Sequence, residues 1–168
     1  MEWYFVKPLE SVELIDEFEE FVGYKFPVSF RNCVKENNGG SPEPNVFDTE
    51  SSEEIGLEHL LSFNKKDDCN IWDMVELYSQ NIEILRKNED YDFLDAYINI
   101  AENYIIFADA AFGNLIAFYR ADDSVVFIDH ETQETEKIAD SFDEVINGLY
   151  DVEGLDEWFE SIEAENNS

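Results

Sequence analysis

The stretch YIIFADAAFGNLIAFYRADDSVVFIDHE, residues 104–131, decides the fold. It contains short apolar runs with the composition of β-strands: Tyr104 to Ala108, Leu115 to Arg120, and Val125 to Asp129. Turn residues separate these runs, Gly113-Asn114 in the first break and Ala121 to Ser124 in the second. Short strands joined by such turns predict an antiparallel meander, and a further strand is expected at Thr135 to Ile138.

Two helices are predicted near the start of the chain. Residues 9–22 carry apolar side chains at helical spacing, with Phe18 and Phe21 expected in the core and Glu19 on the solvent face. Gly23 is the expected C-cap of this helix. Pro27 then suits the first turn of a second helix, whose apolar face is Phe30, Cys33 and Val34 and which stops at Gly39-Gly40.

The middle of the chain has weak patterns for two short strands and a clear pattern for one helix. Residues 41–54 read as a loop with one short strand around Val46-Phe47, and a second short strand is expected within Leu57 to Phe63. Residues 70–87 show a helical stripe that includes Trp72 and Tyr78, both expected in the core. An acidic turn is predicted at Asn88 to Asp92.

The chain is predicted to end in helices. Ser141 is the expected N-cap of a helix through about Tyr150, and Glu144 three residues later completes a capping box. Residues 153–165 suggest a further acidic helix with Trp158 and Phe159 on its apolar side. The fold class is therefore α+β, a single antiparallel sheet flanked by helices. We divide the chain into one domain at 1–150 and an acidic C-terminal extension at 151–168.

The composition narrows the possible partners. The 168 residues include 41 acidic and 10 basic ones, a formal net charge of -31, while 44% hydrophobic residues suffice for a core. Such a surface repels nucleic acid and anionic lipid, and it attracts basic proteins and divalent cations. Neither an export signal nor a membrane span is visible, so we expect a cytoplasmic protein with two reduced thiols, Cys33 and Cys69.

Motifs for catalysis are missing from the sequence. The two histidines, His59 and His130, lie far apart, and a zinc site would have to borrow cysteines or carboxylates that no spacing predicts. His130 stands between Asp129 and Glu131, where carboxylates favour the imidazolium and a contact role. No nucleophile elbow, phosphate loop or calcium loop is present. We therefore expect no enzyme activity, no cofactor and no metal.

The order of several short motifs resembles the SUKH superfamily over roughly residues 9–150. The motifs are Phe26-Pro27, Asn38-Gly39-Gly40, Asp109 with Gly113-Asn114, Asp129-His130-Glu131, and Ser141-Phe142. The chain departs from the pattern at Phe112, where a small residue is common, and in a long insert around residues 64–95. The acidic tail after residue 150 also lies outside the shared core.

The resemblance implies an α+β fold without catalytic residues. Many bacterial members are immunity proteins that neutralise a secreted toxin, often a nuclease or deaminase, and the superfamily includes a yeast cell-wall synthesis regulator. Our first hypothesis is therefore a non-enzymatic inhibitor of a cognate, basic, nuclease-type toxin. The second is a regulatory scaffold for a cellular partner, and a small acidic hydrolase is the third and least favoured.

The candidate partner-binding residues fall into two groups. The first group surrounds the turn and the corner of the meander and comprises Asp109, Asn114, Asp129, His130 and Glu131. The second group is the acidic tail with Trp158 and Phe159 as anchors. The insert at 64–95 is the third location. The competing interpretation of the turn is structural: Gly113 and Asn114 satisfy a tight turn, and Asp109 caps nearby backbone.

Overall fold

The predicted meander is the centre of the fold. A computed structural model describes residues 1–152 and 155–167, without the side chains of residues 155–159. Its main sheet has six antiparallel strands in the order β3-β4-β5-β6-β7-β8. These strands are β3 (Val46–Phe47), β4 (Ile55–Leu60), β5 (Tyr104–Ala110), β6 (Leu115–Tyr119), β7 (Val125–Ile128) and β8 (Thr135–Ala139). The α+β class and the single antiparallel sheet are confirmed.

The sheet curls so that its two ends approach each other. Val46 of β3 exchanges backbone hydrogen bonds of 3.1 and 3.0 Å with Tyr150, beyond the last strand of the sheet. The rings of Phe47 and Phe127 lie 6.3 Å apart, centre to centre. Ser51, in the loop after β3, donates to the Glu136 carboxylate of β8 from both its backbone N–H and its hydroxyl. This curl creates a concave surface beside the loop at residues 48–54.

A small second sheet was missed from the sequence. Residues Glu2–Tyr4 form β1 and pair antiparallel with β2 (Ser41–Glu43), with Trp3 opposite Pro42. Each strand has only three residues. Such short segments carry too little alternation to be recognised without their partner.

Helices α1 (Glu13–Val22) and α2 (Val28–Asn37) follow β1, and α5 (Phe142–Gly148) follows β8. Gly23 ends α1 in the left-handed region (φ 68°), as the sequence predicts. Pro27 is the N-cap of α2, just before the first turn in which it was expected. The Phe30 ring of α2 lies 5.1 Å from the rings of Phe107, Phe118 and Phe142. This aromatic cluster fixes α2 and α5 on one face of the sheet.

The first helix corrects three predictions. It begins at Glu13 rather than residue 9, and Phe21 is 62% exposed although its ring contacts Phe18 and Trp72. Glu19, assigned to the solvent face, is only 2% exposed. Its burial depends on Arg31 of α2, whose guanidinium pairs with the Glu19 carboxylate. A helical period alone cannot reveal that pairing.

Helices α3 (Ile71–Lys87) and α4 (Tyr91–Asn103) pack against each other and against β5. Helix α3 matches the prediction, with Ile71 and Tyr78 buried and Trp72 half-buried. Helix α4 was missed, and the predicted turn at Asn88 to Asp92 ends where this helix begins. Tyr104, Ile105 and Ile106 of β5 line a small cavity with residues of α3.

The chain ends with α5 and α6 (Leu155–Asn166). The Ser141 hydroxyl accepts a 3.1 Å hydrogen bond from the Glu144 N–H, as predicted for an N-cap. The Glu144 carboxylate reaches back to the N–H of Asp140, one residue before the expected partner. Helix α6 covers the region of the predicted acidic helix, but the side chains of Trp158 and Phe159 lie outside the described residues. Among the described helices, none is long and apolar enough to span a bilayer.

Candidate partner-binding surface

Asn114 holds together the corner formed by the β5–β6 and β7–β8 connections. Its side-chain oxygen accepts a 3.0 Å hydrogen bond from the His130 backbone N–H and lies 2.9 Å from His130 Nδ1. Its side-chain nitrogen donates to the Ala111 carbonyl at 3.1 Å. Gly113 has φ +79°, and its α-carbon faces the His130 ring. Asn114 and Gly113 therefore have the structural role that the competing interpretation gave them.

Asp129 caps the turn that connects β7 to β8. Its Oδ1 accepts hydrogen bonds from the N–H of Glu131 at 2.8 Å and of Thr132 at 3.1 Å. The hydrogen bond from Thr132 is the main cause that lowers the pKa of Asp129, and the bond from Glu131 acts in the same direction. Glu131 and His130 themselves are exposed. The corner thus presents their side chains on a backbone that Asp129 and Asn114 hold in place.

Asp109 does not belong to this corner. Its carboxylate contacts a side chain of β4, with Asp109 Oδ2 2.9 Å from Nε2 of His59. Because β4 and β6 flank β5 on opposite sides, this contact points away from the corner on β6 and β7. The expected role of Asp109 as a backbone cap is replaced by this contact with an imidazole. The structure therefore divides the first group of candidate residues into two sites.

Phe112 is the most exposed large apolar side chain beside the corner. It is 89% exposed and has φ 64°, in the left-handed region that glycine favours. A bulky residue in this conformation costs of the order of 1 kcal/mol or more. The sequence already marks this position, because a small residue is common there in the resembled superfamily. Phe112 therefore has an unfavourable backbone conformation and an exposed ring. Packing in the core explains neither of them.

An acidic groove lies between Phe112, the loop at residues 48–54 and the start of β8. Its charged lining consists of six carboxylates: Glu50, Glu53, Glu54, Asp129, Glu134 and Glu136. Phe112 and Phe127 provide apolar surface in the same groove. None of the described residues that line it is basic. The hydrogen bonds from Ser51 lower the pKa of Glu136, so this carboxylate stays ionised.

The basic residues of the chain are placed elsewhere. Ion pairs join Arg31 to Asp16 at 2.8 Å, Lys66 to Glu10 at 2.5 Å and Lys87 to Glu83 at 3.2 Å. Lys65 and Lys25 also contact glutamates of α1. These ion pairs lie next to α1 and along α3, and a further pair joins Lys137 of β8 to Asp140. None of the described ion pairs includes one of the six groove carboxylates, so the groove keeps its negative charge uncompensated. The groove was not predicted from the sequence, because its residues come from loops and strands that are far apart along the chain.

Among the described residues, none from the insert at 64–95 lines the acidic groove. Much of the insert at 64–95 is α3, which buries Ile71 and Tyr78 against the core. Exposed apolar side chains remain on it at Leu77 (47%) and Ile84 (54%). The side chains of the tail anchors Trp158 and Phe159 lie outside the described residues. The insert is therefore first a structural element, and the tail remains a prediction.

Comparison with known proteins supplies the family. A search of curated proteins found no match. The model of the SMI1 / KNR4 family (SUKH-1) matches residues 10–148, which include both helices before the sheet, the whole meander and α5. The match begins and ends close to the limits over which the motifs follow the superfamily pattern. The chain therefore belongs to the SMI1 / KNR4 family (SUKH-1).

Proposed function

We propose that this protein is a non-enzymatic, cytoplasmic immunity protein that binds a cognate bacterial toxin and neutralises it. Proteins of this family are generally immunity or regulatory proteins that act through protein partners. The observation that supports the proposal most strongly is the acidic groove with Phe112 at its edge. It offers both of the features that a basic partner requires: uncompensated charge and an exposed aromatic anchor.

The charges and the aromatic ring have different tasks in this proposal. The net charge of -31 attracts a basic partner over a distance of roughly the Debye length, about 8 Å at physiological salt. Affinity then comes from a few desolvated anchors near the centre of the contact, where aromatic residues are enriched. Phe112 is exposed, stands at the groove and is held by the fixed corner. It is our candidate for that anchor.

We further infer that the toxin is of the nuclease type. A nuclease carries a basic groove for the phosphate backbone, so lysine and arginine side chains are already clustered where its substrate binds. An acidic surface that occupies this groove excludes the substrate without any chemistry of its own. The six carboxylates of the groove on this chain are the matching charges.

The decisive experiment is a protection assay with the cognate toxin, which the proposal expects to be encoded immediately upstream. We expect Phe112→Ala to reduce the protection of cells that express the toxin. Phe5→Ala is the matched control, because Phe5 is 84% exposed and also has positive φ (55°), but it does not line the groove. Full protection by a folded Phe112→Ala variant would contradict the assignment of Phe112 as the anchor.

Charge is tested with a second matched pair. Glu53→Gln with Glu134→Gln removes two charges from the groove, and we expect weaker protection. Asp95→Asn with Glu102→Gln removes two charges from exposed positions on α4 and should protect fully. An equal loss of protection in both double variants would show that total charge matters and that the groove does not. Full protection by both would contradict a role for the groove charges.

The alternative site and the alternative function have their own tests. A chain truncated after Tyr150 lacks the acidic tail but keeps the bridge between Tyr150 and Val46. If this truncation abolishes protection while Phe112→Ala does not, the tail is the binding site. A regulatory scaffold is the competing function, and the absence of any toxin gene next to this one would favour it.

The proposed lack of enzyme activity also predicts a result. The His130 ring lies against Asn114 at the exposed corner, which is a contact that positions the imidazole for binding. His130→Ala should therefore change binding or stability. A turnover activity that is lost in His130→Ala would overturn the non-enzymatic proposal.

A further inference from the structure

Three side chains that can bind a metal meet at one place in the structure. His59 belongs to β4, Cys69 to the loop before α3, and Asp109 lies near the end of β5. One ligand atom of each residue lies within 4.8 Å of the corresponding atoms of the other two. The closest pair is Nε2 of His59 and Oδ2 of Asp109, at 2.9 Å. This cluster is separate from the acidic groove, whose lining includes none of the three residues.

The backbone fixes all three positions. His59 and Asp109 are cross-strand partners, and the irregularity between Leu57 and His59 sets that register. The Cys69 carbonyl accepts a 3.1 Å hydrogen bond from the N–H of Ser62. The next residue, Asn70, is 2% exposed and caps α3 by accepting a hydrogen bond from the N–H of Asp73. These hydrogen bonds fix the backbone at Cys69 and at the residue that follows it. A ligand in a preorganised site needs such a fixed backbone.

The His59 imidazole has an unsatisfied polar atom in this cluster. Its Nε2 has less than 1 Å² of accessible surface and, among the described residues, no hydrogen-bond partner of suitable geometry. The Asp109 carboxylate is close to it, but the direction of the contact does not make a hydrogen bond. Buried polar atoms are nearly always satisfied, and an exception needs a reason. A metal ion that accepts the Nε2 lone pair would supply one.

We propose that His59, Cys69 and Asp109 bind a zinc ion. Imidazole nitrogen, thiolate sulfur and carboxylate oxygen are the three ligand types that zinc takes in proteins, whereas calcium and magnesium prefer oxygen alone. Atoms around a tetrahedral zinc lie about 3.5 Å apart, since each is about 2.0 to 2.3 Å from the ion. The observed separations, from 2.9 Å for the closest pair to at most 4.8 Å, bracket that value. Cys69 is exposed, so water can complete the tetrahedron.

The charges favour the same ion. A thiolate and a carboxylate together balance the two positive charges of zinc, and the imidazole is neutral when it binds metal. The strongly negative chain also raises the local concentration of divalent cations. This site does not depend on the proposed toxin binding, and its tests need no toxin.

Cobalt is the probe that separates this site from weak cation binding by surface carboxylates. The full chain is stripped of metal under a non-thiol reductant and titrated with Co²⁺. A cobalt ion bound to a thiolate has a charge-transfer absorption band in the near ultraviolet, which carboxylate-bound cobalt lacks. We expect this band to saturate at one cobalt per chain and to disappear when Zn²⁺ displaces the cobalt.

The chain contains two cysteines and two histidines. The residue of each type that lies outside the cluster therefore serves as a matched control. Cys69→Ser should abolish the band, and His59→Asn and Asp109→Asn should weaken cobalt binding by more than about tenfold. Cys33→Ser and His130→Asn should retain the full band. Absence of the band in the unsubstituted chain, or its survival in Cys69→Ser, would overturn the proposal.

Thermal unfolding gives an independent readout. Zinc should raise the Tm of the unsubstituted chain, because a ligand that binds only the folded state stabilises it. Cys69 is exposed, so Cys69→Ser should fold normally without metal and should lose this increase. An equal zinc-induced increase in both proteins would assign the effect to surface carboxylates and would contradict the site.

Discussion

Glu19 and the glutamates of the acidic groove carry the same functional group in opposite surroundings. Glu19 is 2% exposed and is paired with Arg31 and, at 3.1 Å, with Lys25. The groove glutamates Glu50, Glu53 and Glu54 are exposed, and no basic residue lines their groove among those described. Two of the few basic residues thus pair with the carboxylate that cannot reach water. The groove keeps its charge for an external partner.

This difference determines what a substitution does in each region. A buried carboxylate that loses its partner pays the full cost of desolvation, so it acts on stability. An ion pair within the protein stabilises an exposed carboxylate only slightly. Removing such a carboxylate changes the free energy of unfolding by less than about 0.5 kcal/mol. We therefore expect substitutions near Glu19 to lower the free energy of unfolding. Substitutions in the groove should leave the protein stably folded but weaken its binding to a partner.

The largest expected effect comes from breaking the buried pair. Arg31→Ala removes the only described arginine partner of Glu19 and leaves a buried carboxylate facing the exposed Lys25. We expect a loss of about 3 kcal/mol in the free energy of unfolding, measured by urea denaturation. Arg86→Ala, at an exposed position in the last turn of α3, is the control and should change stability by less than about 0.5 kcal/mol. Equal losses in the two variants would contradict the comparison.

The next effect concerns salt and belongs to the groove. The association rate with a basic toxin should fall about tenfold or more between low and physiological ionic strength, because exposed charges are screened. Dissociation should change less, since the anchor is apolar. Stopped-flow mixing measures both rates. Association rates that do not depend on salt would remove electrostatic steering from the proposed function.

A smaller effect is expected at Phe112, with opposite signs for stability and binding. Glycine accepts positive φ without strain, and the Phe112 ring is 89% exposed, so it contributes little packing. We expect Phe112→Gly to raise the free energy of unfolding by up to about 1 kcal/mol and to weaken protection against the toxin. A variant that is both less stable and fully protective would show that Phe112 serves the fold.

Sequence patterns predicted much of the fold, because its strongest signals are local. The meander at residues 104–139, the C-cap at Gly23 and the N-cap at Ser141 all depend on neighbours a few residues away. Helix α4 was missed although Leu94, Tyr97 and Ile100 repeat at helical spacing. Its tyrosines and isoleucines also suit strands and run directly into β5, so no helix was assigned between the predicted turn and that strand.

The sites were harder to predict, because they depend on contacts between distant parts of the chain. The groove requires the sheet to curl until the loop at residues 48–54 reaches β8. The cluster of His59, Cys69 and Asp109 requires the register of β4 and β5, including its irregularity. Neither the curl nor the register can be read from a periodicity of hydrophobic residues. Phe112 is the exception, since its departure from the superfamily pattern was visible in the sequence.

The smallest effect concerns Cys33, which lies half-buried on α2. Burial is the main cause that raises the pKa of Cys33 to about 11, and the weak hydrogen bond from Asn37 acts in the opposite direction. In the unfolded chain the thiol returns to its ordinary pKa, about 8.5. The resulting contribution to stability is complete below that ordinary pKa. It decreases as the pH rises and is lost as the pH passes about 11, because the unfolded chain ionises first.

Alkylation in the Cys69→Ser variant, where Cys33 is the single thiol, measures this difference directly. In denaturant the rate should level off above about pH 9, where the free thiol is mostly ionised. In the folded protein the rate should still rise about tenfold per pH unit between about pH 9 and 10, because only the thiolate reacts. Steric protection alone would lower the folded rate by a constant factor and leave the pH profile unchanged. A folded profile that levels off at the same pH as the denatured one would therefore show that α2 shields Cys33 without changing its ionisation.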